Sequence, residues 1–437
     1  MRTIIVLASA VASVAIASAC ARSEEEPSAG ADPHSPTAVP DGGAGDDADG
    51  SVADVDVPDT RLPDCSPAGW CITGFPDEDL VFRDIAPLDG VAFAIADSPT
   101  EGIKVLEWTK STNTWKYIDD GTQNQPPIGT FAGRIYAPNV DDVYFTVGPS
   151  SVFHGERFGG TWTWTKQALP DSIAGHTDSH GNPTQRASGQ PITTLGIWGT
   201  GAGDVYAYYS NTIFHRDPAS GTFATVYVAG DLGTADEHIF FTSVHGSGPN
   251  DVWFVGARAR TNTNCPLIVR KSAADWERVA DSVVSTNTNA PCAQRPGTLF
   301  IGGGKGGWLV DIAPVSTTEY VALHNRVSGF TFEDAYATTI RVTDDGYSFE
   351  QSLVPVTIAP AATNSPRSAT ALWRGDGETW FTSWGLVLRG SDDGTFSVST
   401  LSRSGGPVIA PFYRIRGTSN QNLWAIGARH AYHKTTP

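Results

Sequence analysis

Two groups of residues have the types and spacing that site chemistry needs. His176-Thr-Asp178-Ser-His180 places three ligand-type side chains at i, i+2 and i+4. In an extended segment these share one side, where zinc or another divalent ion would accept them. No fourth ligand is identifiable, and a polar surface loop with incidental histidines is the competing reading. The second group is Arg83, Arg134 and Arg414, each standing at the same distance before the small-residue turn of a recurring phrase. Three guanidiniums brought to one place would grip a carboxylate through paired hydrogen bonds. The competing reading is that they pair with Asp84 or Asp311. No Gly-x-Ser-x-Gly elbow, His-Glu-x-x-His or Ser-x-x-Lys stands out. Gly302-Gly-Gly-Lys-Gly-Gly307 lacks the Gly-Lys-Ser/Thr ending of a phosphate loop and reads as a turn. No catalytic residue is assigned and no cofactor is expected.

The recurring phrase also supplies the elements that must carry these side chains. An apolar strand, a small-residue turn often followed by Asp or Asn, and a strand of the type Asp-Val-Trp-x-Val-Gly return along the chain. The clearest copies are Ile197-Trp-Gly-Thr-Gly-Ala-Gly-Asp-Val-Tyr206, Val244-His-Gly-Ser-Gly-Pro-Asn-Asp-Val-Trp253 and Ile415-Arg-Gly-Thr-Ser-Asn-Gln-Asn-Leu-Trp424. Weaker copies run from Asp84 to Phe93, Ile135 to Tyr144 and Asp311 to Tyr320, and a shortened one from Leu372 to Trp380. The aromatic anchors are therefore Phe93, Tyr144, Tyr206, Trp253, Tyr320, Trp380 and Trp424, spaced 44 to 67 residues apart. A third strand follows most anchors. An aromatic-led fourth strand follows at Trp115, Trp162, Phe223, Trp276, Phe349 and Phe396. Alternation with period two, β-branched and aromatic content and Gly/Asp/Asn turns predict four short strands per copy. Seven such copies predict an all-β, seven-bladed β-propeller of four-stranded antiparallel blades over residues 65–437. The seventh copy ends at Lys434 without a fourth strand, and Trp70-Cys-Ile-Thr-Gly-Phe75 can pair there to close the ring. Segments 170–191, 257–265 and 281–297 read as long, variable loops, where a rigid repeat scaffold usually places binding.

The amino end is of a different kind. Arg2 precedes an uncharged apolar run from Ile4 to Ala19, the layout of a secretory signal and shorter than a bilayer span. Ala17-Ser18-Ala19-Cys20 resembles the bacterial lipobox, which implies a signal peptide over 1–20 and a lipid on Cys20, although Ala17 stands where leucine is commonest. In such lipoproteins an aspartate after the cysteine retains the protein at the inner membrane, so Ala21 points to the outer membrane. Residues 21–64 hold 12 acidic residues, two arginines and no Phe, Tyr or Trp. Too little apolar area is available there to offset ordering entropy, which predicts an extended, self-repelling tether. Asp47, Asp49, Gly50 and Asp56 approach calcium-loop spacing, but Gly45 sits at the first ligand position and no helix flanks it. With Cys20 lipidated, four of the five cysteines remain, an even number suited to an oxidising compartment. Pairing neighbours, Cys65 with Cys71 and Cys265 with Cys292, is the natural choice among three connectivities.

The repeats look like those of bacterial cell-surface propeller lipoproteins, with copies reading Val-Trp-Gly-Ser-x-x-x-Asp-Val-Trp-Ala-Val-Gly. They are similar more distantly to Asp-box (sialidase-type) and photosystem-assembly-factor propellers. Val342-Thr-Asp-Asp-Gly-Tyr-Ser-Phe349 matches an Asp box apart from Val342, and Gly390-Ser-Asp-Asp-Gly-Thr-Phe396 is one residue short. Three arginines at one channel mouth are analogous to the sialidase arginine cluster, but the nucleophile pair and catalytic aspartate of that family match no particular residues here. The resemblance is specific for fold and nearly silent on function, and the long, variable loops favour a non-catalytic, envelope-anchored platform binding a protein or glycan partner. Alternatives are a carbohydrate-active enzyme of sialidase or lyase type and an assembly or maintenance factor for an envelope complex. The chain carries 29 Lys and Arg against 47 Asp and Glu, a net charge of −18, which disfavours a nucleic-acid partner.

Overall fold

In a computed structural model, the described residues are 65–436 without 127, 149, 170–194, 235–236, 261–262, 286, 288, 329–330, 357–367 and 404–405. The signal segment, Cys20, the acidic tether with its calcium-like spacing, and the whole of segment 170–191 with His176, Asp178 and His180 lie outside them. Among the described residues no helix is long and apolar enough to cross a membrane.

Strand follows strand, and each hairpin joins neighbours in sequence. Blade 1 comprises Val81–Pro87, Val91–Ser98, Gly102–Thr109 and Thr114–Tyr117. Blade 2 comprises Ala132–Asn139, Asp142–Val147, Ser151–Phe158 and Thr161–Ala168. Blade 3 comprises Leu195–Gly201, Asp204–Tyr209, Thr212–Arg216 and Phe223–Val228. Blade 4 comprises Glu237–Gly248, Asp251–Arg260, Thr263–Lys271 and Trp276–Ala280. Blade 5 comprises Gly306–Pro314, Glu319–Ser328, Thr331–Thr343 and Gly346–Val354. Blade 6 comprises Ala371–Gly375, Glu378–Ser383, Leu386–Ser391 and Phe396–Ser399. Blade 7 comprises Phe412–Ser419, Asn422–Gly427 and His430–Lys434, and its fourth strand is Trp70–Ile72. First strands of successive blades pack on one another around the axis, and the first strand of blade 7 packs on that of blade 1. This is a seven-bladed β-propeller.

The recurring phrase has a packing explanation. All seven anchors are buried. In five blades the residue two before the anchor binds a cationic or imidazole side chain from the third strand, and that side chain lies on the anchor ring. Asp142 binds His154 at 2.7 Å, and the imidazole stacks 4.1 Å from Tyr144. Asp204, His215 and Tyr206 repeat the arrangement, as do Asn422, His433 and Trp424. Arginine takes the imidazole's place in blades 4 and 6, where Asp251 holds Arg270 over Trp253 and Glu378 holds Arg389 over Trp380. The Asp of Asp-Val-Trp is thus a partner for the third strand, and the anchor gains a stacked cover.

In blade 7, Trp70 pairs with Lys434 and Ile72 with Tyr432. Trp70 is fully buried, donates to Ser399 Oγ at 2.8 Å and meets Trp380 edge-on at 6.0 Å, so it wedges blade 7 against blade 6. Cys65–Cys71 and Cys265–Cys292 are both disulfide-bonded. The Asp-box-like stretches form third-to-fourth-strand turns, with Thr343 opposite Gly346 and Gly390 opposite Phe396.

One expectation is corrected. Segment 257–265 is mostly strand, not loop, because blade 4's second and third strands run on with Arg258 opposite Cys265. Arg258 makes the stretch look solvated, yet it is fully buried. It binds Asp281 through Nε and Nη2, each at 2.9 Å, together with Glu237 and Asp231. Burial alone would lower its pKa, but these carboxylates raise it. Segment 281–297 carries a short hairpin, Ser282–Val284 with Cys292–Gln294.

Candidate functional site

The first strands line the axis, and their inward side chains meet there. Counted from the residue facing each anchor (Ala86, Tyr136, His245 and Arg416), the residues two positions back are Asp84, Arg134, Ser243 and Arg414. Arg134 and Arg414 are therefore equivalent. Arg83 is one residue further back, at a β-bulge between Phe82 and Asp84, out of phase with the other two. The offset arises at the following turn, where blades 2 and 7 carry an extra residue, between Tyr136 and Asn139 and between Gly417 and Ser419, that blade 1 lacks. All three arginines nonetheless line one cavity of about 520 Å³, near the starts of the first strands.

Their surroundings differ. Arg83 is paired with Asp97 and lies 5.2 Å over the Tyr413 ring. Arg414 is buried, donates to the Thr370 carbonyl at 3.1 Å, and has its Nε 3.6 Å from Asp84 Oδ1. Arg134 is half-buried and approaches the Thr242 carbonyl at 3.4 Å. Among the described residues no carboxylate comes within 4.0 Å of it. The partner reading is thus realised for Arg414, through Asp84.

A fourth arginine escaped the sequence reading. Arg416 shares Arg414's face two residues on and donates to Asp311 at 2.9 and 3.3 Å. Asp311 also accepts from Ser243 Oγ at 2.7 Å and the Leu372 amide at 3.2 Å, tying blades 4, 5, 6 and 7 together. Burial alone would raise the Asp311 pKa, but Arg416 and these donors hold it below the usual carboxylate range. Burial pushes Asp84 the other way, above that range, against the pull of Arg134 and Arg416. The available signal for Arg416 was the period-two spacing from Arg414 on a strand.

Tyr208 was missed for a different reason, since it comes from a second strand. Its hydroxyl donates to the Thr242 carbonyl at 2.6 Å. It reaches the axis because Gly196 stands in the slot held by Arg134 and Arg414 elsewhere; a Cβ there would lie 2.4 Å from the ring. Arg134 and Tyr208 also border a second cavity of about 270 Å³, lined by Asp84, Tyr136, Trp198, His245, Trp373 and Arg416 near the ends of the first strands. The waist between the cavities therefore holds three guanidiniums, Arg134, Arg414 and Arg416, against two carboxylates, Asp84 and Asp311. Its formal excess is one positive charge.

The wide cavity is chemically suited to holding an anion. Asp97 is its one acidic residue among the described lining residues, and it is engaged by Arg83. Among the described lining residues the paired carboxylates of a glycosidase are not assembled. No cluster of three metal-ligating side chains occurs among the described residues.

The sequence matches no family model and no curated protein. Solved structures do resemble it. The chain aligns with YCF48 bound to D1 peptide at 12% identity and TM-score 0.53, covering 88% of this chain and 100% of the other. YCF48 from Cyanidioschyzon merolae gives 13% identity and TM-score 0.51, over 84% and 99%. PorZ, a bacterial surface component of the type-IX secretion system of Porphyromonas gingivalis, gives 12% identity and TM-score 0.53, over 83% of this chain and 47% of that one. At such identities the shared property is the propeller fold.

Proposed function

We propose that the protein is a non-catalytic binding platform of the bacterial envelope that takes a carboxylate-bearing segment of a protein partner into its wide cavity. The observation that carries this reading is the excess guanidinium charge at a cavity whose one acid among the described lining residues, Asp97, is already paired. A buried or half-buried cation without a counter-ion is costly, and an incoming carboxylate would supply that counter-ion with bidentate geometry. A peptide-bound neighbour of the same fold gives the reading a precedent.

The anchor belongs to the same proposal: lipid on Cys20, an outer-membrane location favoured by Ala21, and residues 21–64 as a tether for the propeller. Resemblance to a bacterial surface component is consistent with it. Co-purification with a single membrane complex would make the platform an assembly factor. The arginine mouth also keeps a sialidase-type or lyase-type enzyme as the second reading, which an acidic sugar turned over by the protein would revive.

The test is binding of a panel of acidic peptides with free or amidated C-termini to the full chain, with Arg134→Ala beside it. A peptide that binds, weakens at least tenfold on carboxylate removal, and weakens similarly in the variant supports the site. Equal affinity for free and blocked peptides, or no loss in Arg134→Ala, overturns it. Separately, Cys20→Ala should leave the membrane fraction; a variant that stays fully bound refutes the lipid anchor.

A further inference from the structure

We propose that the second cavity is a binding site for a neutral saccharide ring. This site is separate from the arginine mouth and does not depend on that reading. Its walls are rings from four blades. Tyr136, Trp198, His245 and Trp373 each stand opposite an anchor, namely Tyr144, Tyr206, Trp253 and Trp380. The same rung of the repeat thus presents one ring after another around the axis.

Three of these rings are seated before any ligand arrives. Trp373 Nε1 donates to the Gly417 carbonyl at 2.8 Å. Trp198 lies over Gly246, where a Cβ would come within 3.1 Å of Cη2, and Tyr136 rests on Gly199, where a Cβ would come within 2.8 Å of Cε1. Each contact runs from one blade to the turn glycine of the next. Rings fixed in this way lose little freedom on binding.

The polar groups are few and complementary. Asp84 is 5% exposed; its Oδ1 is enclosed 3.6 Å from Arg414 Nε, while Oδ2 accepts from the Ile135 amide and keeps a second lone pair. His245 Nδ1 accepts the Gly246 amide at 2.9 Å, shorter than its 3.3 Å approach to the Gly246 carbonyl, which assigns the ring proton to Nε2. Burial, with Arg416 nearby, holds the His245 pKa at about 4, so the imidazole is neutral near pH 7. The cavity therefore offers an acceptor at Asp84 and donors at His245 and Arg134.

Charge narrows the ligand class. Arg416 is neutralised by Asp311, and the cavity's own lining adds one carboxylate, Asp84, and one further guanidinium, Arg134, so its formal charge is zero; the waist's excess comes with Arg414, which lines the wide cavity. Hydroxyl groups that both donate and accept suit such a lining, and the C–H faces of a pyranose suit the ring walls. Rings spaced around an axis fit a compact ring with substituents in several directions better than a flat base, which needs two parallel plates.

The test uses the purified full chain and a panel of neutral monosaccharides and disaccharides: glucose, galactose, mannose, N-acetylglucosamine and their dimers. Binding is read by saturation-transfer NMR and its location by hydrogen exchange. At least one sugar should bind and protect segments 84–87, 135–137 and 197–198. Its affinity should fall at least tenfold in Trp198→Ala and in His245→Ala and stay unchanged in Arg83→Ala. No binding by any member at roughly 10 mM overturns the proposal, since weaker affinities fall below about 3 kcal/mol. Protection confined to other segments also overturns it, and that readout needs no variant to fold.

Discussion

Replacing Asp311 with Asn tests the waist directly. Asn preserves the volume and one acceptor oxygen but removes the charge that Arg416 contacts at 2.9 and 3.3 Å. Asp311 is 1% exposed, so water cannot take over that role. Three guanidiniums would then face Asp84 alone. Breaking a buried ion pair by removing one partner typically costs about 3–5 kcal/mol, because the orphaned charge stays desolvated. Over a propeller of this size, that corresponds to a melting decrease of roughly 5 °C. The assay is urea unfolding followed by tryptophan emission for the parent, Asp311→Asn, Arg416→Met and the double variant. Removing the orphaned cation should recover stability, so the double variant should be at least about 1 kcal/mol more stable than Asp311→Asn alone. Strictly additive losses in the double variant would refute the argument that charge imbalance dominates over lost packing.

Three further outcomes follow from the structure. Burial holds His324 at about 3, with Arg326 adding to the effect, and His433 at about 4, with Lys110 adding to it. Both folded values lie below the ordinary 6.5, so their neutral forms cost nothing above that pH. Below it the unfolded chain takes protons that the folded one refuses, and stability should fall until the folded values are reached. The loss is on the order of 2 kcal/mol per histidine at pH 5, and His324→Gln should flatten the measured stability–pH curve. Gly246→Ala should cost about 1–3 kcal/mol, because its Cβ would lie 2.3 Å from the Asp251 carbonyl oxygen. Gly248→Ala, with nothing within 4 Å, should melt within about a degree of the parent. Replacing Cys265 and Cys292 with Ser should cost about 3–4 kcal/mol in a chain-entropy estimate, and Cys65 with Cys71 about 2, both read by denaturant midpoint under non-reducing conditions.

Much of the architecture was legible because a blade is a local object. Its strands are hairpin neighbours, so anchors, turn glycines and Asp-box-like turns announce themselves within a few tens of residues. The disulfide pairs were legible for the same reason, their cysteines being neighbours in sequence. Arg258 was not, since its presence in a buried strand depends on Asp231, Glu237 and Asp281 converging from separate segments. The binding mouth was legible only in outline. Arg134 and Arg414 were found by repeat counting, whereas the shorter turn of blade 1 put Arg83 out of step by one place.

By itself the sequence determined the number of blades, the residues that anchor them, and which cysteines have a near partner. These depend on period and spacing, which the chain carries residue by residue. Tertiary structure alone decided that Arg416 answers Asp311 across 105 positions, that Tyr208 reaches the axis over Gly196, and that four rings share one cavity. The first and last are contacts between blades, and Tyr208, once over Gly196, donates to the Thr242 carbonyl of the next blade. Closing the ring sets which charges are compensated, and no local pattern records that balance.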